Sequence, residues 1–227
     1  MGFYKVAEPA VISFSGGRTS AYMLYQILQA YKGKLPDDVV VCFANTGKEM
    51  PQTLDFVQAC SDNWNVKIHW LELRVIDKKF TTLEVDYDSA SRDGRPFAEL
   101  IEKKNYLPNM IARFCTSELK VNRISEFVGD GYSTILGIRA DEERRLSKMR
   151  KRPEVIVPLA DAKVTKHDIY NFWNNNSFDL QLPNEKGVNN LGNCDLCFLK
   201  GTGIKKSIIR DMPQLADWWI AQEEKIG

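Results

Sequence analysis

Two sets of residues in this 227-residue chain have the types and spacing to do chemistry. The first is Ser15-Gly16-Gly17-Arg18-Thr19-Ser20. Glycines at 16 and 17 let the backbone turn sharply and leave its N–H groups uncovered. At the start of a helix, those N–H groups and the positive end of the helix dipole hold an anion, phosphate above all. A Gly-Gly turn can equally be only a turn, but the serines on either side (Ser15 and Ser20, with Ser13 one step back along the strand) sharpen the reading toward a phosphate loop. The second set is the pair Cys194-x-x-Cys197, joined by Cys115 far upstream. In a cytoplasmic chain such a pair points to metal or redox chemistry rather than a disulfide. Four readings stand open: a [4Fe–4S] cluster on three thiolates with one iron left open, a zinc site, a redox-active or sulfur-carrying thiol pair, and a structural pair. A four-thiolate zinc site would need a second Cys pair, which the sequence lacks. Cys42, inside the apolar run VVVCFA, and Cys60, late in a helix, read as packed residues.

The elements that must position these residues alternate. Strands are expected at Val11–Phe14, Val39–Phe43, Lys67–Leu73, Ser133–Ile138 and Val155–Leu159, with helices capped by Thr19-Ser20, opened by Pro51, spanning Thr116–Phe127, and capped by Thr165. Continuous Val/Ile-rich strands alternating with helices imply a parallel sheet covered on both faces. Right-handed crossovers then give an α/β, doubly wound, Rossmann-like sheet of five strands in the order 3-2-1-4-5. The order reverses between strands one and four, so ligand binds beyond their carboxyl ends, where Ser15–Ser20 meets Gly137-Ile138-Arg139. The polar stretch 74–109 is an insertion or lid. Residues 1–160 form the nucleotide-binding core, and 161–227 a helical and Cys-loop extension of the same domain, with Trp218 and Trp219 docking the last helix.

Composition narrows the class without deciding it. A hydrophobic content of 44% and charged content of 27% suit a globular protein, and no apolar run reaches the roughly 20 residues a membrane span needs. No signal peptide is visible at the start, so a cytoplasmic protein is expected. The net charge of +1 says little, but Arg139–Arg152 holds seven Lys/Arg against three Asp/Glu. That segment is a solvated face or a contact for a polyanion.

Further motifs fall in order along residues 10–200. They are Asn45-Thr46-Gly47-Lys48-Glu49, Arg113-Phe114-Cys115-Thr116-x-x-x-Lys120, Gly137-x-Arg139-x-Asp141-Glu142-x-x-Arg145, and Pro158-Leu159-Ala160-Asp161 followed by Asp168-Ile169-Tyr170. Together with SGGRTS they resemble the adenine-nucleotide α-hydrolase superfamily: the ATP pyrophosphatases and the phosphoadenosine phosphosulfate reductase-like enzymes. The usual forms there are S-G-G-x-D-S, D-T-G-x-E and R-x-C-(C/T)-x-x-x-K, so Thr19 and Asn45 each replace an Asp. DNA phosphorothioation pyrophosphatases and their phage-borne relatives look closest. The resemblance implies ATP, with Mg2+, held by Ser13, Ser15, Gly16, Gly17, Arg18, Thr19, Ser20, Asn45, Thr46, Gly47, Glu49, Arg113, Gly137 and Arg139. Arg18, Lys120 and Arg139 would stabilise the departing pyrophosphate. Cys115, Cys194 and Cys197 would carry an iron–sulfur cluster, with Cys115 also catalytic in passing sulfur to the adenylated acceptor. Expected partners are nucleic acid, DNA ahead of tRNA, held on Arg144–Arg152, and a cysteine desulfurase or other sulfur donor; the assembly considered is a homodimer, with no membrane. The alternatives are a sulfonucleotide reductase and a non-catalytic nucleotide-binding protein. Sulfonucleotide reductases end in E-C-G-x-H, whereas no cysteine follows Cys197 and no histidine follows His167 here, which weighs against the reductase. His69 and His167 read as core or surface residues.

Overall fold

A computed structural model describes residues 2–7 and 9–227. Strand β1 (Ala10–Phe14) is almost wholly buried and runs parallel to β2 (Val39–Asn45) on one side and β5 (Ser133–Leu136) on the other, with Ile12 opposite Val41 and Ile135. The remaining strands are β3 (Ile68–Ile76), β4 (Lys79–Val85) and β6 (Val155–Ile156), and the six-stranded order is β4-β3-β2-β1-β5-β6. The expected doubly wound order is therefore present, with one added strand at its edge. Strand β4 lies in the stretch expected as a lid, pairs antiparallel with β3, and closes a hairpin through Asp77-Lys78. Both turn residues have left-handed backbone (φ +49° and +60°), the conformation of a two-residue hairpin turn. The last strand is shorter than expected because Pro158 starts a helical turn, α7 (Pro158–Asp161).

The chain forms two compact units, and it enters each more than once. One comprises Met1–Phe43, Gln52–His69 and Val128–Val188, the other Ala44–Pro51, Trp70–Phe127 and Asn189–Gly227. In the first, helix α1 (Arg18–Ala30) buries Ala21, Leu24 and Leu28, one face at helical spacing, and ends where Gly33 N–H donates to Leu28 O at 2.7 Å. Helix α2 (Pro51–Trp64) carries proline in its first turn, as expected. An aromatic cluster of Phe56, Trp64, Trp173 and Phe178 fills the space beneath, with ring centroids 5.0–6.3 Å apart. Helix α8 (Lys166–Asn174) opens with a reciprocal cap between Thr165 and Asp168.

The second unit has its own core of Leu73, Phe97, Leu100, Ile101, Phe114 and Leu119, against which Trp218, Trp219 and the three cysteines pack. Its helices are α3 (Arg95–Lys104), α4 (Phe114–Thr116), α5 (Asn122–Val128, which crosses its boundary), α9 (Thr202–Asp211) and α10 (Gln214–Ile226). Between α4 and α5 the chain widens into a π-helical turn, Ser117–Val121, instead of the single α-helix expected. Such turns are frequent at functional positions. The remaining helix, α6 (Glu143–Met149), belongs to the first unit. Among the described residues no helix is long and apolar enough to cross a membrane.

Candidate nucleotide and thiol sites

The anion turn is built within the first unit. Helix α1 starts at Arg18 with Gly17 as its N-cap, so Thr19 and Ser20 lie inside the first turn rather than capping it. Ser20 Oγ donates to Gly17 O (2.9 Å), accepts from Ser15 N–H (3.2 Å) and lies 2.9 Å from Ser15 Oγ. The two serines thus brace the turn from inside. Gly16 is the position that only glycine fits: its φ is +72°, and a Cβ there would lie 2.7 Å from Thr53 Cγ2. At Gly17 a Cβ would meet only Ser15 Oγ, at 3.8 Å. Gly137, past the carboxyl end of β5, admits the close approach of Ser20, whose Cα would lie 3.1 Å from a Cβ at 137. Next to it, Arg139 donates to Thr19 Oγ1 at 3.3 Å and pairs with Asp141 at 2.8 Å. Partial burial pushes the Asp141 carboxyl up, but Arg139 and the Lys166 N–H outweigh this and hold it below its ordinary range. The turn and the Arg139 loop, expected to meet at the switch point, therefore do meet.

Arg18 has a structural partner that the motif does not show. Its guanidinium is bidentate on Asp179 (2.7 Å to each oxygen) and also donates to the carbonyls of Leu180 and Leu182, while Trp173 Nε1 donates to the Arg18 carbonyl at 2.9 Å. With Nε and Nη2 engaged and 9% of it exposed, Arg18 fixes the first turn of α1.

The second unit holds the other expected residues. Asn45 is fully buried; its Nδ2 donates to Glu72 (2.7 Å) and to Ser91 O (2.9 Å), and its Oδ1 accepts from Gly47 N–H (3.1 Å). Glu72, 1% exposed, also accepts from Ser91 N–H and Oγ. Asparagine at 45 is thus the donor that this buried carboxylate needs. Asn45→Asp would set two carboxylates together in a dry site and is expected to cost on the order of 3 kcal/mol. The loss, read from urea midpoints, should grow as pH rises above the carboxylate range and shrink in acid, because protonating one partner relieves the repulsion. Equal stability of the two proteins at neutral pH would contradict it.

Glu49, 3% exposed, accepts from Thr46 N–H (3.0 Å) and Oγ1 (2.8 Å) and pairs with Lys120 Nζ at 3.4 Å. Burial pulls the Lys120 ammonium down, but Glu49 and the thiols of Cys194 and Cys115 raise it above its usual value. Lys120, carried by the π-helical turn, is thereby held charged beside the cysteines. Arg113 is exposed at the start of α4 and makes no ion pair among the described residues.

Sequence reasoning missed the pair that seats the Cys loop. Lys48 and Asp195 form a buried ion pair at 2.9 Å, with side chains 8% and 4% exposed. The Lys48 ammonium sits over the Trp218 ring, 4.5 Å from its centroid, and Asp195 also accepts from Trp219 Nε1 at 2.7 Å. Gly94 (φ +81°) makes room, since a Cβ there would lie 2.6 Å from Trp218. The tryptophans were legible as a dock for the last helix; their charged centre was not.

Cys194 lies against this clamp, buried, with its sulfur 3.5 Å from Thr46 Oγ1. Burial and the Glu49 carboxylate push its thiol up to about 12. Cys115 and Cys197 are half-buried; burial and the neighbouring Cys197 raise Cys115. An iron–sulfur cluster needs thiolates grouped around a shared space. Among the described residues no three His, Cys, Asp or Glu side chains are grouped to hold a metal ion. The expected cluster is without support in this arrangement. Iodoacetamide should accordingly modify Cys115 and Cys197 in the folded protein and spare Cys194. Folding keeps the proton on Cys194, so the stability this contributes is present below about 9 and is lost as pH rises toward 12. Mass spectrometry of peptides labelled at pH 8 checks this, and prompt labelling of Cys194 would contradict it.

The sheet order, the Gly-Gly turn at its switch point and the Gly137–Arg139 loop define an α/β nucleotide-binding protein. The chain belongs to the phosphoadenosine phosphosulfate reductase domain family, matching over residues 9–192. It is similar to the uncharacterized nin region protein ORF290 of Escherichia phage lambda, 34% identical over 203 residues covering 85% of this chain and 66% of that protein. It is also similar to the uncharacterized protein MJ0066 of Methanocaldococcus jannaschii, 24% identical over 227 residues covering 96% of this chain and 42% of that protein. The chain thus spans just under two thirds of one relative and less than half of the other. The family is one of nucleotide-using enzymes, and the phage relative accords with the phage-borne proteins that the motifs resemble.

Proposed function

We propose that this chain is an ATP pyrophosphatase that adenylates a nucleic-acid acceptor for sulfur insertion, with DNA phosphorothioation as the first candidate. The observation that carries this reading is the braced Ser15–Ser20 turn at the head of a 13-residue helix, with Arg139 on Thr19. ATP places its β- and γ-phosphates on the turn's N–H groups, and Mg2+ arriving with them supplies charge neutralisation. An acceptor oxygen attacks the α-phosphorus, the bond to the bridging oxygen breaks, and pyrophosphate leaves toward Arg139. Arg18 acts through the backbone it pins.

Sulfur is carried by the cysteine group as thiols. A half-buried cysteine takes a sulfane sulfur from a desulfurase-type donor as a persulfide. The terminal sulfur then displaces AMP from the adenylated acceptor, and a neighbouring cysteine closes a disulfide that an external dithiol reduces. Lys120, held cationic, favours the thiolate that must form beside it. A second reading rests on the proximity of Cys115 and Cys197: one thiolate attacks the sulfur of an adenylyl sulfate and AMP leaves, giving a thiosulfonate, and the other thiol then closes a disulfide and releases sulfite, the disulfide being reduced by an external dithiol.

The experiment is product analysis. With ATP and duplex DNA, the account expects AMP and pyrophosphate. ADP with phosphate would overturn it, and sulfite from adenylyl sulfate with a dithiol would establish the second reading instead.

A further inference from the structure

Of the seven cations in Arg139–Arg152, four are neutralised within the fold. Arg139 pairs with Asp141, Arg145 with Glu142, Arg150 with Asp161 and Arg152 with Glu154. Arg144, Lys148 and Lys151 are exposed and have no acidic partner among the described residues. Their spacing is i, i+4, i+7. The helical turn continues past Met149, because Arg150 keeps α-helical backbone and its N–H bonds Leu146 O at 2.9 Å. At about 100° per residue Arg144 and Lys148 lie about 40° apart on α6, and Lys151 follows two residues past its end, the three spanning about 10 Å of chain. Leu146 and Met149 lie on the opposite side and pack on Ile138, Val157 and Ala160. The segment is thus seated through Leu146 and Met149 and presents three uncompensated cations.

We infer that Arg144, Lys148 and Lys151 form a phosphate-tracking stripe that grips one strand of a nucleic acid. Phosphates recur along a duplex strand every ~3.4 Å of axis, so a stripe of this length spans about three of them. The contacts are to backbone and carry no sequence readout. The four paired arginines anchor the segment and add no binding charge. This deepens the nucleic-acid part of the proposed function and rests on it, but its test needs no ATP.

The test is fluorescence anisotropy of a labelled DNA duplex of about 20 base pairs, read between about 50 and 200 mM salt, with the full chain. Each of Arg144→Ala, Lys148→Ala and Lys151→Ala should weaken binding and reduce the slope of log affinity against log salt by about one. The triple variant should lose more than about tenfold in affinity, while removing Arg152 and Glu154 together leaves the slope unchanged. Three results would overturn the inference: a triple variant with the wild-type slope, no DNA binding by the wild-type chain, or polyglutamate displacing DNA as well as competitor DNA does, which would mark an acidic protein surface as the partner. If the stripe variants bind DNA normally while AMP and pyrophosphate still form, the stripe alone is wrong. If the slopes change as expected but ADP is the product, the stripe stands and the proposed reaction falls.

Discussion

Gly16→Val is expected to strip the protein of most of its stability, whereas Gly17→Val keeps the fold and abolishes nucleotide binding. The two glycines are neighbours with different duties. At 16 the backbone is left-handed, which costs an L-residue about 1–2 kcal/mol and a β-branched one more. The new side chain would also be driven into Thr53, Phe43 and Val57, at 2.7, 3.1 and 3.2 Å from its Cβ. Overpacking of that kind adds roughly 1–3 kcal/mol, against a total stability of about 5–15 kcal/mol for a typical domain. At 17 the backbone is extended (φ −107°, ψ 159°) and tolerates any residue. Valine there instead covers the N–H groups at the head of α1. Urea denaturation should therefore separate Gly16→Val from wild type and leave Gly17→Val near it, while calorimetry with ATP shows no binding to the second variant. ATP binding to Gly17→Val with unchanged affinity would remove the turn from the site.

Lys48→Met is the second large effect. It would leave Asp195, 4% exposed, as a buried carboxylate without its ion-pair partner, its remaining hydrogen bonds coming from Trp219 Nε1–H and the Leu196 N–H. Breaking a buried pair from one side costs about 3–5 kcal/mol, mostly through the charge left behind. Lys48→Met with Asp195→Asn should recover much of that loss, because the stranded charge is gone. The double variant also reports on function. The pair joins the segment after β2 to the Cys194–Cys197 loop, where Asp195 N–H donates to Lys48 O at 2.9 Å. That backbone link survives in the double variant, so Cys194 should stay protected from alkylation in it and become reactive in Lys48→Met alone. Additive losses from the two substitutions would mean that the residues do not act as a pair.

The parts of this architecture legible in the sequence were those written in local pattern. Val11, Ile12 and Phe14 before Gly-Gly, and Pro51 at a helix start, fix their elements without help from elsewhere. Strand β4 escaped notice because KFTTLEV is a half-exposed edge strand with a blurred alternation, and because its turn is Asp-Lys where such turns favour Asn-Gly. The roles of Arg18 and Lys48 depend on Asp179 and Asp195, far away in the chain, and no spacing rule connects them. Arg18 sat inside a phosphate motif and drew a phosphate role, yet its carbonyl and guanidinium are tied to Trp173 and Asp179–Leu182. The three cysteines show the same limit. Spacing gave ligand-like thiols, but only the surroundings of Cys194, with Thr46 on its sulfur and Glu49 close by, reveal how deeply it is buried and that its thiol is pushed up.

The proposed function stands on bond cleavage at the α-phosphorus of ATP, with adenylate passed to an acceptor. Isotope exchange tests it most directly. With DNA present and no sulfur donor, the adenylated acceptor cannot proceed, and attack by pyrophosphate reverses the step. Labelled pyrophosphate should then appear in ATP, with exchange lost in Gly17→Val and strongly reduced in Arg139→Ala. Label that remains in pyrophosphate while ADP accumulates would contradict the account.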